Sequence, residues 1–134
     1  MLSRSLLITL LLTVGAALAP PAQARTVDYK NIVSPTRQIS CFAVRGRSRE
    51  IECSAPYLPD IGELDTYLGL RPRGRSILAE RGDYPGYTVP RRTLHYGDTW
   101  RRPGIRCTMR RSGLTCRNRD RHGFHIERDN VRRF

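Results

Sequence analysis

Cysteine, histidine and arginine are concentrated in one segment near the C-terminus, residues 107–125, which reads CTMRRSGLTCRNRDRHGFH. Cysteine and histidine together bind zinc, arginine binds phosphate and other anions, and two cysteines on neighbouring strands can form a disulfide. The segment could therefore be a metal centre, an anion-binding surface or a disulfide-closed hairpin.

The spacing of the candidate ligands argues against zinc. They follow the pattern C-x8-C-x5-H-x2-H, whereas zinc fingers place their two cysteines about two to four residues apart. His122 and His125 have opposite parity, so on an extended strand they would point to opposite faces. Gly123 disfavours the helix that would bring them together. We therefore expect no metal and no other cofactor.

The N-terminus has the pattern of a secretory signal peptide. Arg4 precedes an apolar run over residues 6–19, and small residues suited to cleavage follow. The run is too short for a good membrane span, and no later segment approaches one. We expect residues 1–24 to be a signal peptide.

Two cleavage boxes compete, residues 17–19 (ALA) and residues 22–24 (AQA). Pro20 directly follows the first box and would block signal peptidase. We therefore place cleavage after Ala24. This leaves residues 25–134 as a single domain that is periplasmic or fully secreted.

All four cysteines lie in this expected mature chain. An even number of cysteines in a small exported protein indicates disulfides, because the oxidising compartment leaves few thiols free. Four cysteines allow three different pairings. The residues between them favour the local pairing, Cys41 with Cys53 and Cys107 with Cys116.

The two cysteine pairs lie in similar hairpin patterns, QISCFAVRGRSREIECS and IRCTMRRSGLTC. In both, the cysteines share strand parity with apolar residues, so each pair could face its partner across an antiparallel ladder inside the core. Gly113 lies where a tight turn needs a positive φ. We predict an all-β or mostly β domain of antiparallel hairpins with two disulfides.

The middle of the chain is rich in turn-forming residues. Residues 56–90 contain five prolines and five glycines, which resists any long helix. Ile61, Leu64 and Leu68 have helical spacing. We expect a loop-rich middle with at most one short helix.

The same parity argument places a group of arginines on the outside of the second hairpin. Residues of opposite parity to the cysteines should form one outward, cationic face. Two further arginines follow in the polar loop RNRDR. The candidate anion-binding residues are Arg106, Arg110, Arg117, Arg119 and Arg121, with Thr108 and Thr115 on the same face.

The charge of the chain is strongly positive and unevenly distributed. Without Arg4, 23 basic and 12 acidic residues remain, a net charge of +11. Residues 91–134 contain 13 arginines and four acidic residues, whereas residues 58–65 are acidic. This asymmetry is typical of a surface that binds a polyanion such as nucleic acid, anionic lipid or an acidic envelope polymer. The alternative is a solvated surface whose arginines reflect codon composition.

Four stretches resemble the successive landmarks of a bacterial family of small secreted proteins: SPTRQISC, YGDTW, GIRCTMRRSGLTCRN and HGFHIER. That family is catalogued only as a domain of unknown function. Its members often carry a further cysteine pair in the middle, where this chain reads AERGDYPG. The resemblance spans residues 33–134 and implies export and the fold, but no activity. The matching positions are Ser34, Pro35, Ile39, Cys41, Tyr96, Gly97, Trp100, Gly104, Cys107, Gly113, Cys116, Asn118, His122, Gly123, Phe124, Arg128 and Phe134.

A small basic exported protein with several histidines could also be a ribonuclease. General acid–base cleavage of RNA needs two positioned groups and a cation for the phosphate. His125 and Glu127 share a strand face, and His95 and His122 are further candidates. An exposed His–Glu pair on a strand is common, however, and no serine-nucleophile elbow or phosphate loop is present. We expect no catalytic residues.

A third alternative is a protein-partner module that uses exposed aromatic residues. Tyr84, Tyr87 and Trp100 lie among glycines and prolines, where interaction surfaces often occur. For Trp100 a role in the core is the stronger reading because of its size. Of these alternatives we favour a binding or structural module that uses its cationic C-terminal face to bind an anionic polymer or envelope component.

Overall fold

The computed structural model describes residues 15–18, 23–84 and 88–134. Within them the chain forms twelve β-strands and no helix, which confirms the predicted fold class. Most of the expected signal peptide, residues 1–14 and 19–22, lies outside the described residues, as do residues 85–87. No helix among the described residues is long and apolar enough to cross a membrane.

Sheet A consists of the five C-terminal strands of the described chain and the short N-terminal strand β1 (Thr26–Val27). Its strands lie in the order β1-β8-β9-β10-β11-β12. All neighbours are antiparallel except β1 and β8, which are parallel. The strands are β1 (Thr26–Val27), β8 (Thr99–Arg102), β9 (Ile105–Arg110), β10 (Gly113–Asn118), β11 (Gly123–Glu127) and β12 (Asn130–Arg133).

Sheet B carries the N-terminal half, in the order β6-β5-β4-β3-β2-β7. Here too one pair, β2 and β7, is parallel. The strands are β2 (Asn31–Val33), β3 (Ser40–Ala43), β4 (Ile51–Ser54), β5 (Asp65–Leu70), β6 (Ile77–Arg81) and β7 (Arg92–Thr93).

The inward side chains of both sheets form a single hydrophobic core. Trp100 and Phe124 are its largest fully buried side chains, and aliphatic residues of both sheets surround them. Buried residues alternate with exposed or half-buried residues along β9, as the two-residue period of a strand requires.

Both predicted hairpins and both predicted disulfides are present. Cys41 is directly opposite Cys53, and Cys107 is directly opposite Cys116. All four cysteines are buried in the common core. Gly113 has a φ of +114°, as its place at the turn after β9 requires.

The segment 61–68, whose spacing allowed one short helix, is not helical, so the expectation of at most one short helix is confirmed. The second half of the segment belongs to β5, where Leu68 is opposite Leu78 on one side and Cys53 on the other. Ile61 and Leu64 are exposed in the preceding irregular segment. Pairing with β4 and β6 satisfies the backbone hydrogen bonds of β5, and this outweighs a helical spacing that Gly62 and Gly69 already weaken.

Candidate anion-binding site

The outer face of sheet A carries three arginines in one cross-strand row. Arg101 of β8 is paired with Arg106 of β9, and Arg106 is paired with Arg117 of β10. All three side chains are exposed. We call this row the arginine ladder. Since neighbouring strands lie about 4.8 Å apart, the ladder spans roughly 10 Å across the sheet.

The charge of the ladder is not neutralised by any ion pair in the described part of the chain. No carboxylate in the described part of the chain lies within ion-pair distance of the three guanidinium groups. Like charges directly opposite each other on a sheet destabilise it. The fold therefore carries an unfavourable arrangement that an external anion would relieve.

A row of hydroxyl groups runs beside the ladder. Thr99, Thr108 and Thr115 are in register across β8, β9 and β10. Arginines and threonines together line an open cavity of about 500 Å³. The site therefore combines cations with hydroxyl donors, the two kinds of group that contact phosphate oxygens most often. The cavity is lined by Arg106, Thr108, Arg110, Thr115, Arg117 and Asn118.

The last residue of the chain borders the ladder. The backbone of Phe134 forms two hydrogen bonds with Gly123, so the terminus packs onto the sheet. The guanidinium carbons of Arg117 and Arg132 lie 5.1 and 5.4 Å from the centre of its ring. These cation–π contacts hold two of the outward arginines above the sheet.

The predicted site residues are brought together only in part. Arg119 lines a second cavity, of about 310 Å³, beside the ladder residues. Arg121 adopts a φ of +64° in the following turn and lines neither of these two cavities. Sequence reasoning missed Arg101, although its neighbour Trp100 was expected to point inward. Strand alternation could have placed Arg101 outward.

Asn118 organises the turn that presents Arg119. Its side-chain amide donates to the carbonyl oxygens of Arg71 and Gly74, and its Oδ1 accepts from the backbone amides of Asp120 and His122.

In the same turn, the Asp120 carboxylate accepts a hydrogen bond from the Gly74 amide and forms an ion pair with Arg73. These bonds lower the pKa of the Asp120 carboxyl and tie sheet A to the β5–β6 loop.

The expected open His125–Glu127 pair is only partly correct. The two side chains do share the outer face, with His125 Nε2 3.7 Å from a Glu127 oxygen. His125, however, is only 7% exposed, and its Nδ1 is hydrogen-bonded at 2.7 Å to the Thr115 hydroxyl. Both ring nitrogens thus have neighbours within the sheet, because Thr115 lies directly opposite in the register.

Trp100 lies in the core, as the stronger reading predicted, and the exposure that a partner module would need of Tyr84 is also not found. Trp100 is 0% exposed, and its indole nitrogen donates to the Tyr29 carbonyl at 2.6 Å. Tyr84 is 5% exposed, and its hydroxyl donates to the Ser40 and Glu52 carbonyls. Both rings bury large apolar areas while their polar atoms are satisfied. The third residue, Tyr87, lies outside the described residues.

Metal binding has no obvious donor set in the part of the chain that the structure describes. No group of three or more histidine, cysteine, aspartate or glutamate side chains there is arranged to hold an ion. All four cysteines are consumed by the disulfides, so they offer no thiolate.

The fold and the site define a class: a small all-β protein with a disulfide in each of its two sheets and a cationic outer face. The family model described as "Family of unknown function (DUF6636)" matches residues 43–134, more than half of the chain. The protein therefore belongs to this family. No significant match was found among curated proteins or among solved structures.

Proposed function

We propose that this protein is a non-enzymatic binding module that holds an anionic polymer on the outer face of sheet A, outside the cytoplasm. The observation that carries the proposal is the arginine ladder: Arg101, Arg106 and Arg117 in direct cross-strand register without a carboxylate partner in the described chain. A polymer supplies several charges at once, so it can neutralise neighbouring arginines together.

The exported location is part of the proposal. Two disulfides in the core are expected in an oxidising compartment, because cytosolic reductants keep thiols reduced. The signal-peptide pattern of residues 1–24 supports the same location. All twelve strands and both disulfides fall within residues 25–134, the proposed mature protein.

Fluorescence anisotropy with a labelled single-stranded RNA tests the proposal, with RNA as the probe polyanion. The oxidised protein, residues 25–134, is titrated at several salt concentrations. We expect Arg106→Glu/Arg117→Glu to weaken binding by about tenfold or more at low salt and to flatten its salt dependence, because fewer counterions are released. The matched control is Arg47→Glu/Arg49→Glu, which makes the same charge change in the β3–β4 turn.

Equal loss of affinity in both double variants would show that net charge alone drives binding and would contradict the site. The RNA is then run on a gel. If the parent protein shortens the RNA and the His125→Ala variant leaves it intact, the non-enzymatic assignment is contradicted and the ribonuclease alternative is favoured.

A further inference from the structure

Another cavity, with a mainly apolar surface, lies on sheet B and is separate from the outer face of sheet A. It has a volume of about 620 Å³ and lies between strands β2 and β3 and the segment that leads into β7. Phe42, Ala43, Val89 and Pro90 supply its apolar lining, and the rest of the lining is almost entirely cationic: Lys30, Arg45, Arg91 and Arg92, with Asn31.

Hydrogen bonds hold the walls of this cavity in place. The Asn31 side-chain amide donates to the Pro90 carbonyl at 3.1 Å, and Arg91 Nη1 donates to the Ser40 hydroxyl at 2.5 Å. The Phe42 ring packs edge-on against Tyr84, with ring centres 5.3 Å apart. These three contacts fix the residues that line the cavity, as a preformed ligand site requires.

The four cations of the rim have no acidic partner among the residues that the structure describes. Within the described chain, no carboxylate lies within ion-pair distance of Lys30, Arg45, Arg91 or Arg92. Arg92 instead lies over the Tyr29 ring, 4.5 Å from its centre. Uncompensated positive charge thus borders an apolar cavity, and an anion bound there would be weakly screened by solvent.

We infer that this cavity binds a small amphiphilic anion, with a carboxylate at the cationic rim and an unbranched alkyl chain against Phe42, Val89 and Pro90. A neutral lipid would leave the four cations unused. A nucleic acid would have to place polar groups against the apolar lining, where they would lose water without gaining partners. The volume also lies within the usual range for small-molecule sites, roughly 300–1,000 Å³.

Titration of the isotope-labelled oxidised protein with decanoate, followed by amide NMR, tests the inference. We expect shifts of amides in residues 30–45 and 89–92, tighter binding of decanoate than of octanoate, and much weaker binding of decan-1-ol. Decan-1-ol that binds as tightly as decanoate would overturn the requirement for an anion. Shifts confined to other residues would overturn the site.

Two pairs of variants separate the head-group and the chain contributions. Arg45→Glu should weaken decanoate binding by about fivefold or more through charge repulsion, whereas Arg47→Glu, an equal charge change in the same turn, should not. Val89→Ser should weaken it by about fivefold through lost apolar contact, whereas Leu64→Ser, at an exposed apolar residue elsewhere, should not. An equal effect within either pair would contradict the inference.

The same variants keep this inference separate from the proposed polyanion site. Arg45→Glu should leave RNA binding close to that of Arg47→Glu, and Arg106→Glu/Arg117→Glu should leave decanoate binding intact. Loss of decanoate binding in the ladder variant would assign the ligand to the face of sheet A and would overturn the second site.

Discussion

Arg25 contacts the buried carboxylate of Asp98 through two of its groups. Its backbone nitrogen lies 3.3 Å from Oδ1, and its guanidinium Nη2 lies 3.1 Å from Oδ2. Asp98 also accepts a hydrogen bond from the His95 amide at 3.2 Å. The contact ties the start of the described β-fold to the loop before β8, beside the parallel pairing of Thr26 with Thr99.

Asp98 should stabilise the fold in its charged form. Burial raises the pKa of its carboxyl, but the hydrogen bonds from Arg25 and His95 outweigh burial, and the net pKa is lowered. A lowered folded-state pKa contributes stability above about pH 4, and this stability is lost as the pH falls through the folded pKa. We expect Asp98→Asn to cost about 1–3 kcal/mol at pH 7 and less at pH 3, measured by urea unfolding. A cost that does not change with pH would contradict this assignment.

Glu52 should have the opposite pH dependence. Burial raises the pKa of its carboxyl, and the hydrogen bond from Arg81, at 2.8 Å, offsets this only in part. A raised folded-state pKa contributes stability below about pH 4, and this contribution is lost as the pH rises through the folded pKa. The free energy of unfolding of Glu52→Gln, relative to the parent, should therefore increase between pH 4 and pH 7. If the free energies of unfolding of variant and parent change in the same way with pH, the prediction is contradicted.

Cleavage after Ala24 would strengthen the Arg25–Asp98 contact. The backbone nitrogen of Arg25 would become an α-ammonium group beside Asp98 Oδ1. We expect residues 25–134 to unfold at a higher temperature than a chain that keeps Gln23 and Ala24, at pH values below the amine pKa of about 8.

Two results check this prediction. Intact mass of the protein purified from its native source gives the N-terminus directly, and a start other than Arg25 contradicts the proposed cleavage site. In an Asp98→Asn background the two chains should unfold at the same temperature, because the ammonium then has no carboxylate to pair with.

The arginine ladder should cost stability in the free protein. Arg106 has an arginine directly opposite it on both sides. Arg106→Gln should therefore stabilise the fold by about 0.2–1 kcal/mol in low salt and should weaken RNA binding. Chemical unfolding of Arg47→Gln, which has no such neighbours in the register, gives the control. Destabilisation by Arg106→Gln would show that the ladder is structural.

The disulfide of sheet A should stabilise the hairpin that presents Arg106, Arg110 and Arg117. It closes a loop with a sequence separation of nine residues, so Cys107→Ala/Cys116→Ala should cost about 2–4 kcal/mol, near the lower value. Thermal unfolding measures this cost. Mass mapping of the non-reduced protein should find Cys41–Cys53 and Cys107–Cys116, and any crossed pair would contradict the structure.

Strand alternation accounts for most of what could be predicted about the candidate site. A strand repeats every two residues, so the positions of Cys107 and Cys116 among apolar residues were enough to orient Arg106, Arg110 and Arg117 outward. The same local pattern predicted both hairpins and both disulfides, because each pair closes within one turn.

The properties that depend on distant residues could not be predicted in this way. Arg101 joins the ladder only because β8 pairs with β9 in one particular register. Tyr84 is buried because its ring packs against the rings of Phe42 and Tyr67, which are remote from it in the sequence. The parallel pairings β1–β8 and β2–β7 likewise join segments that are far apart in the chain.

The sequence by itself therefore determined the local hairpins, their disulfides and the direction of the arginines that flank the cysteines. Only the tertiary structure decided which arginines meet in a row, which aromatic rings are covered and where an apolar cavity acquires a cationic rim. The physical reason is that alternation is a property of a single strand. Register and burial depend instead on contacts between segments, whose free energy no local pattern contains.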